Sequence, residues 1–206
     1  MNKHLTSTKT AAVAASAVAL AAGGVALAHP SPNPDAANPA TSFQLRQIVL
    51  RANELPSFVP LTCPLGQTNA ARWAEANGAA VDDVRRNGFL VGIREPLQST
   101  TLAAQGVSVA AMFRSAAGAR NQVDQDVASA RARSGFSSFA VADIPGAHGF
   151  VLARGGSTAY EIAFARGAYE YVVGVGFSAS SRRAPSRVEL VAAARVVYRR
   201  AAAIAR

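Results

Sequence analysis

The stretch YEIAFARGAYEYVVGV, residues Tyr160 to Val175, decides the fold. Large apolar side chains alternate with small or polar ones on either side of Arg166-Gly167, which is the pattern of two strands joined by a tight turn. With Arg166 and Gly167 as a two-residue turn, Phe164 faces Tyr169, Ile162 faces Tyr171 and Tyr160 faces Val173. Every large apolar group then lies on one face. A slip of one residue would send one strand's apolar set to the other side, so the pattern fixes the facing. Glu161, Glu170, Gly174 and Gly176 fall on the opposite face, with Ala163 opposite Glu170.

Upstream of this hairpin, Phe136 to Val141 and Phe150 to Ala153 read as strands around the turn-forming loop Asp143-Ile-Pro-Gly-Ala-His-Gly149. Ser115 caps a helix whose Ala116, Ala119, Val123, Val127 and Ala130 recur at helical spacing, ended by Gly135. Phe89, Val91 and Ile93 give one earlier strand, and Val107, Val109, Ala111 and Phe113 another. Before them come helical segments from Thr68 or Asn69 through Trp73 and around Val81 and Val84, stopped by Asn87-Gly88. A proline-containing loop spans Leu55 to Gly66, and a first helix, capped by Ser42 and closed by Pro56, carries Leu45, Ile48, Val49 and Ala52. Downstream, Ser186 and Glu189 form a capping box ahead of Leu190, Ala194, Val197, Ala201 and Ile204. No repeat recurs at a fixed period. The order fits an α+β domain, an antiparallel sheet with a central hairpin and meander and helices packed on one face.

Residues 1–28 read as a secretory signal peptide: Lys3 and Lys9, an apolar run from Ala11 to Ala26, and small Ala26 and Ala28 flanking Leu27. Cleavage after Ala28 is expected rather than retention as an anchor, because the run is mostly alanine and is interrupted by Gly23-Gly24. Residues 29–40 hold four prolines and read as a flexible spacer, leaving 41–206 as a single globular domain. The location implied is secreted or extracytoplasmic. The 206-residue chain carries a net charge of +9, and beyond Lys9 its permanent cations are all arginine. That charge gives solubility and suits an acidic partner. Its one cysteine, Cys63, forms no internal disulfide and reads as a small buried apolar residue.

The residues capable of chemistry are few. Beyond the leader, the histidines are His29 in the spacer and His148 in the loop. Asp143, five residues earlier, is the carboxylate available to orient His148 as an acid/base pair, although local turn bonding accounts for both residues more simply. Gly106-Val-Ser108-Val-Ala110 lacks the second glycine of a nucleophile elbow. No metal-ligand spacing is present, and no cofactor is implied. Gly174-Val-Gly176 lies inside a strand and not before a helix, so it is no phosphate loop. Gly174 and Gly176, joined by Gly92, mark either close packing or the floor of a ligand site. Glu161 and Glu170 share that face and read as an acid/base pair or, more simply, as solvated or arginine-paired charges. Arg182, Arg183, Arg187, Arg195, Arg199 and Arg200 make the last helix and its approach basic. Tyr169 and Tyr171 could stack on bases but share the core face with Ile162 and Phe164, so nucleic acid is not expected as a partner.

The segments Pro145-Gly-Ala-His-Gly-Phe150, Phe164-Ala-Arg-Gly-Ala-Tyr169 and Tyr171-Val-Val-Gly174 resemble exported proteins of the actinobacterial type. Among these are PsbP-like lipoproteins and the extracellular sensor domains of bacterial serine/threonine kinases. The resemblance covers residues 85–205 and implies an antiparallel sheet flanked by helices with a non-catalytic binding or sensing role. Three functions follow in order. The first is a secreted or envelope-associated binding or sensor module for a small molecule or lipid. The second is an envelope-polymer hydrolase using His148 with nearby carboxylates, and the third is an arginine-mediated binder of anionic envelope polymer.

Overall fold

The computed structural model describes residues 39–61, 66–178 and 185–204. The elements run α1 (Pro39–Ile48), β1 (Phe58–Pro60), β2 (Gly66–Thr68), α2 (Ala70–Asn77), α3 (Val81–Arg86), β3 (Phe89–Ser99), β4 (Ala104–Phe113) and α4 (Ala116–Arg131). They continue with β5 (Phe136–Phe139), β6 (His148–Arg154), β7 (Ser157–Arg166), β8 (Tyr169–Ser178) and α5 (Arg187–Ile204). Eight strands form one antiparallel sheet in the order β1-β3-β4-β8-β7-β6-β5, with β2 also paired to β3.

The β7–β8 hairpin sits at its centre, turning at Gly167-Ala168 with Phe164 opposite Tyr171, Ile162 opposite Val173 and Tyr160 opposite Val175. The turn therefore lies one residue later than an Arg166-Gly167 turn, and the register moves by two. An even shift leaves each side chain on its expected face. Tight hairpin turns need a positive φ at their first central position, which glycine adopts without steric cost and arginine does not. Gly167 takes that position, at φ 57°.

Caps legible in the sequence are in place. The Asn69 side chain accepts from Arg72 N at the start of α2, and that of Ser115 accepts from Gly118 N at the start of α4. The Ser186 amide donates to Glu189 Oε2 at 3.3 Å ahead of α5. Two local readings change. α1 starts at Pro39, not after Ser42, since proline suits a first helical position where no N–H is needed, and α1 ends at Ile48. The stretch read as a loop from Leu55 to Gly66 contributes β1 and part of β2, three-residue strands that pair with β3 at the sheet's edge. The leader, most of the spacer, and Cys63 lie outside the described residues.

The sheet is antiparallel and the class is α+β, but helices cover both faces instead of one. α1 and α5 bury Leu45, Ile48, Leu190, Ala194 and Val197 against Val91, Ile93, Ile162, Phe164, Tyr171, Val173 and Val175. α2, α3 and α4 bury Trp73, Val84, Ala119, Val123 and Val127 against Val107, Val109, Phe113, Phe150 and Val172 on the other side. The physical reason lies in the central strands. β4 and β8 are buried at nearly every position, so apolar neighbours such as Val172 and Val173 point opposite ways and each needs its own cover.

Gly92 shows how close that cover is. A Cβ there would lie 2.6 Å from the Trp73 ring. Trp73, the chain's sole tryptophan, is 3 % exposed and packs against Phe89 with ring centroids 5.3 Å apart. Gly92→Ala should lower stability by about 1–3 kcal/mol through overpacking. Its tryptophan emission should shift to the red in the folded state, and unchanged emission with an unchanged melting temperature would show that the ring has room to move.

Candidate functional site

α4 reads as an alanine and valine stripe, yet its buried face also carries Gln122 and Asp126, one turn apart. Gln122 Nε2 donates to Asp126 Oδ1 at 2.9 Å, and Asn87 Nδ2 donates to Gln122 Oε1 at 3.0 Å and to Gln125 Oε1 at 2.9 Å. A polar seam thus ties α4 to the end of α3 and presents the Asp126 carboxyl to the sheet. The sheet answers with Glu170 on β8, flanked by the small residues Ala111 and Ala165. Glu161 on β7 stands opposite Gly174, and its Cγ fills the space where a Gly174 side chain would sit, 3.0 Å from that Cβ position.

Glu161 and Glu170 are therefore not solvated strand charges. They are 2 % and 0 % exposed, and Asp126 is 4 % exposed, because α4 lies over the face that the sequence left open. Burial pushes the Glu161 carboxyl up to about 8, opposed by the charges of Arg133 and Arg94 and reinforced by Asp126. Asp126 is raised to about 6 by burial, against the bonds from Glu170 and Gln122 and the charge of Arg133. Glu170 is raised well above the ordinary carboxyl range by burial, then by the charge of Asp126. Neither Glu170 oxygen has a fixed N–H or O–H donor, and what it meets is the Asp126 carboxyl. Burial and the neighbouring Asp126 charge both favour the neutral form of Glu170. The arrangement can store protons. All three carboxyls are buried.

The other sequence candidates are placed apart. His148 opens β6, and its Nε2 is 4.0 Å from Asp124 Oδ1 of α4, a neighbour that no local pattern singles out. Asp143 does not orient it: in a left-handed turn at φ 65°, it pairs with Arg195 Nη2 at 2.7 Å. His148 borders a cavity of about 130 Å³ whose wall includes Val127, Arg131 and Phe150. Gly92 is covered by Trp73, Gly174 by Glu161, and Gly176 is buried between Gln105 and Ala159. Trp73 and Glu161 occupy the glycine face at Gly92 and Gly174, so it is not an open floor there.

The basic side of α5 is mostly engaged in holding the fold. Arg187 lies over the Tyr160 ring at 5.0 Å and the Phe139 ring at 5.6 Å. Arg195 holds Asp143 and the Ala142 carbonyl. Arg200 pairs with Glu54 and donates to the Ile48 and Val49 carbonyls at 3.3 and 2.9 Å, where a cation complements the end of α1. Arg199 is exposed, and Arg182 and Arg183 lie outside the described residues. Among the described residues, no group of three histidine, cysteine or acidic side chains is placed to hold a metal, and no helix is long and apolar enough to cross a membrane.

No protein-family model matches the chain, and no curated protein matches it in sequence. Among solved structures the fold is similar to the extracellular domain of PknH from Mycobacterium tuberculosis. The TM-score is 0.52 at 10 % identity, over 77 % of this chain and 95 % of that one. At this identity the likeness concerns the fold alone.

The buried acids set the sign of a pH dependence. Each binds its proton more tightly folded than unfolded, so their contribution is most favourable below the ordinary values of 3.8 for aspartate and 4.5 for glutamate. It is lost as pH rises through about 6 for Asp126 and about 8 for Glu161. Glu161→Gln, which mimics the protonated acid, should raise the melting temperature at about pH 8 and leave it nearly unchanged at about pH 4. Equal destabilisation at both pH values would mean that Glu161 is ionised and salt-bridged in the fold.

Proposed function

We propose that the chain is a secreted or envelope-associated module that binds or senses a ligand without catalysing a reaction. The observation that carries this reading is the placement of its acid/base groups: Glu161, Glu170 and Asp126 are sealed between α4 and the sheet, and Asp143 is held by Arg195 instead of serving His148. A general acid or base must come within hydrogen-bond reach of a substrate, and the sealed groups cannot. The leader pattern of residues 1–28 and the fold likeness to an extracellular domain support an extracytoplasmic setting. The hydrolase reading retains one favourable feature, His148 beside the small cavity that Arg131 also lines. For the polymer-binding reading, Arg199 is the described arginine of the α5 group that remains exposed, with its neighbours engaged in internal contacts.

Native mass spectrometry of the protein purified from the cells that secrete it separates these readings. The expected result is a stoichiometric non-covalent adduct, with no soluble fragments released when the protein is incubated with envelope glycans. Fragment release that disappears in folded His148→Ala, with no adduct in the wild type, would overturn the proposal in favour of the hydrolase.

A further inference from the structure

Where α2 and α3 meet the first residues of β3 and the end of β4, the surface opens into a groove of about 450 Å³. Arg85 from α3 and Arg114 after β4 border it, with Asn69 at one end and Gly88 and Phe89 along the floor. We propose that this groove binds a small organic anion, with a phosphate or carboxylate head held by Arg85 and Arg114 and an apolar body over Phe89. The proposal deepens the binding-module reading and rests on it.

Arg114 is fixed at its base and uncommitted at its head. Its amide donates to the Gly88 carbonyl at 2.8 Å, and its Cβ and Cγ lie 3.1 and 3.4 Å from where a Gly88 Cβ would sit, so the stem runs along the glycine. The guanidinium makes no ion pair or hydrogen bond among the described residues, although the side chain is exposed. Among the exposed arginines without an ion pair or side-chain hydrogen bond in the described residues, Arg114 is the one that borders the groove beside Arg85. Arg85 has only a loose partner, Asp82 at 3.6 Å, with the two side chains 66 % and 83 % exposed. A pair so exposed contributes little and yields readily to an incoming anion. The other α3 carboxylate, Asp83, is bound to Arg86 at 2.6 Å and does not compete for Arg85. Asn69 uses its side-chain oxygen to cap α2, while its amide N–H₂ makes no bond among the described residues and is available to a ligand oxygen.

The floor is rigid as well as apolar. Phe89 is held edge-on to Phe113 at 5.6 Å and tilted against Trp73 at 5.3 Å. A planar or short acyl body can cover its outer side without rearranging the core. Two arginines above an aromatic wall suit an anionic oxygen group, which accepts from each guanidinium fork, better than a cation or a neutral sugar.

The test uses phenyl phosphate and benzoate as probes of the folded protein at low ionic strength, with Trp73 emission and calorimetry as readouts, in wild type, Arg85→Gln, Arg114→Gln and Arg199→Gln. Binding should weaken about 10- to 100-fold in Arg85→Gln and in Arg114→Gln, the expected loss for a charged hydrogen bond. It should be unchanged in Arg199→Gln, and all three melting temperatures should match wild type. Tighter binding of phenyl phosphate assigns the head as phosphate, and tighter binding of benzoate assigns it as carboxylate. Equal binding by all four proteins, or none by wild type, overturns the groove. An adduct seen by native mass spectrometry that persists undiminished in Arg114→Gln overturns the groove while leaving the binding-module reading intact.

Discussion

The Asp126 and Glu170 carboxyls meet where α4 lies on the sheet, and burial together with their mutual charge favours the protonated form of Glu170. Both are buried, both approach from elements that cannot turn away, and two ionised carboxylates at that spot would repel in a medium with little water to screen them. The surrounding residues follow from that constraint. Ala111 and Ala165 flank Glu170 on neighbouring strands and leave space for the Gln122–Asp126 turn. Asn87 links the same seam to α3, and Gly118 lies so close to the Asn87 carbonyl that a side chain there would overlap it. Arg94 and Arg133 limit the cost of Glu161 nearby, and burial in turn lowers the pKa of Arg94. Buried polar groups of this kind favour one docking geometry over its neighbours, since a shifted helix would leave each of them without a partner.

The two faces of the sheet accordingly hold together by different means. The α1–α5 face is apolar, with Phe164 and Tyr171 stacked at 5.1 Å and Tyr198 set against Phe164 at 5.8 Å. Arginine ties seal its rim, from Arg200 to the end of α1 and from Arg195 to the loop before β6. The α4 face combines an apolar patch with the acid seam and ends, towards α2 and α3, in the open groove. The acid seam and the proposed anion groove therefore share one face, with Asn87 and Gly88, adjacent in sequence, belonging to the seam and to the groove.

Most of the fold was legible because short-range rules govern it. The alternation around residues 160–175, the caps at Asn69, Ser115 and Ser186, and the stop at Gly88 all act within a few residues of themselves, whereas α4 ends at Arg131, four residues before the expected Gly135. The hairpin turn was misplaced by one residue because apolar facing survives any even slip, and the conformational preference of Gly167 decides between the two. The second helical layer was visible only indirectly, in consecutive apolar residues such as Val172-Val173. Much less of the site could be read. A polar residue on a helix with a weak stripe reads as its wet face, so Gln122 and Asp126 gave no sign of burial, and without that cover Glu161 and Glu170 looked solvated. Asp143 was chosen for His148 by proximity in sequence, whereas the fold gives Asp143 to Arg195, 52 positions away, and brings Asp124 to the histidine. The groove joins residues from four separate elements, none of which carries a motif.

Whether α4 packs over protonated carboxyls is decided by an NMR titration of the side-chain carboxyl carbons in the folded protein. At about pH 6.5 the Glu161 and Glu170 carbons are expected to keep the shifts of neutral acids, with Glu161 titrating at about 8. If Asp126, Glu161 and Glu170 all titrate together near the ordinary carboxyl values while the fold persists, the acids are ionised and solvated, and the docking of α4 must rest on its apolar contacts alone.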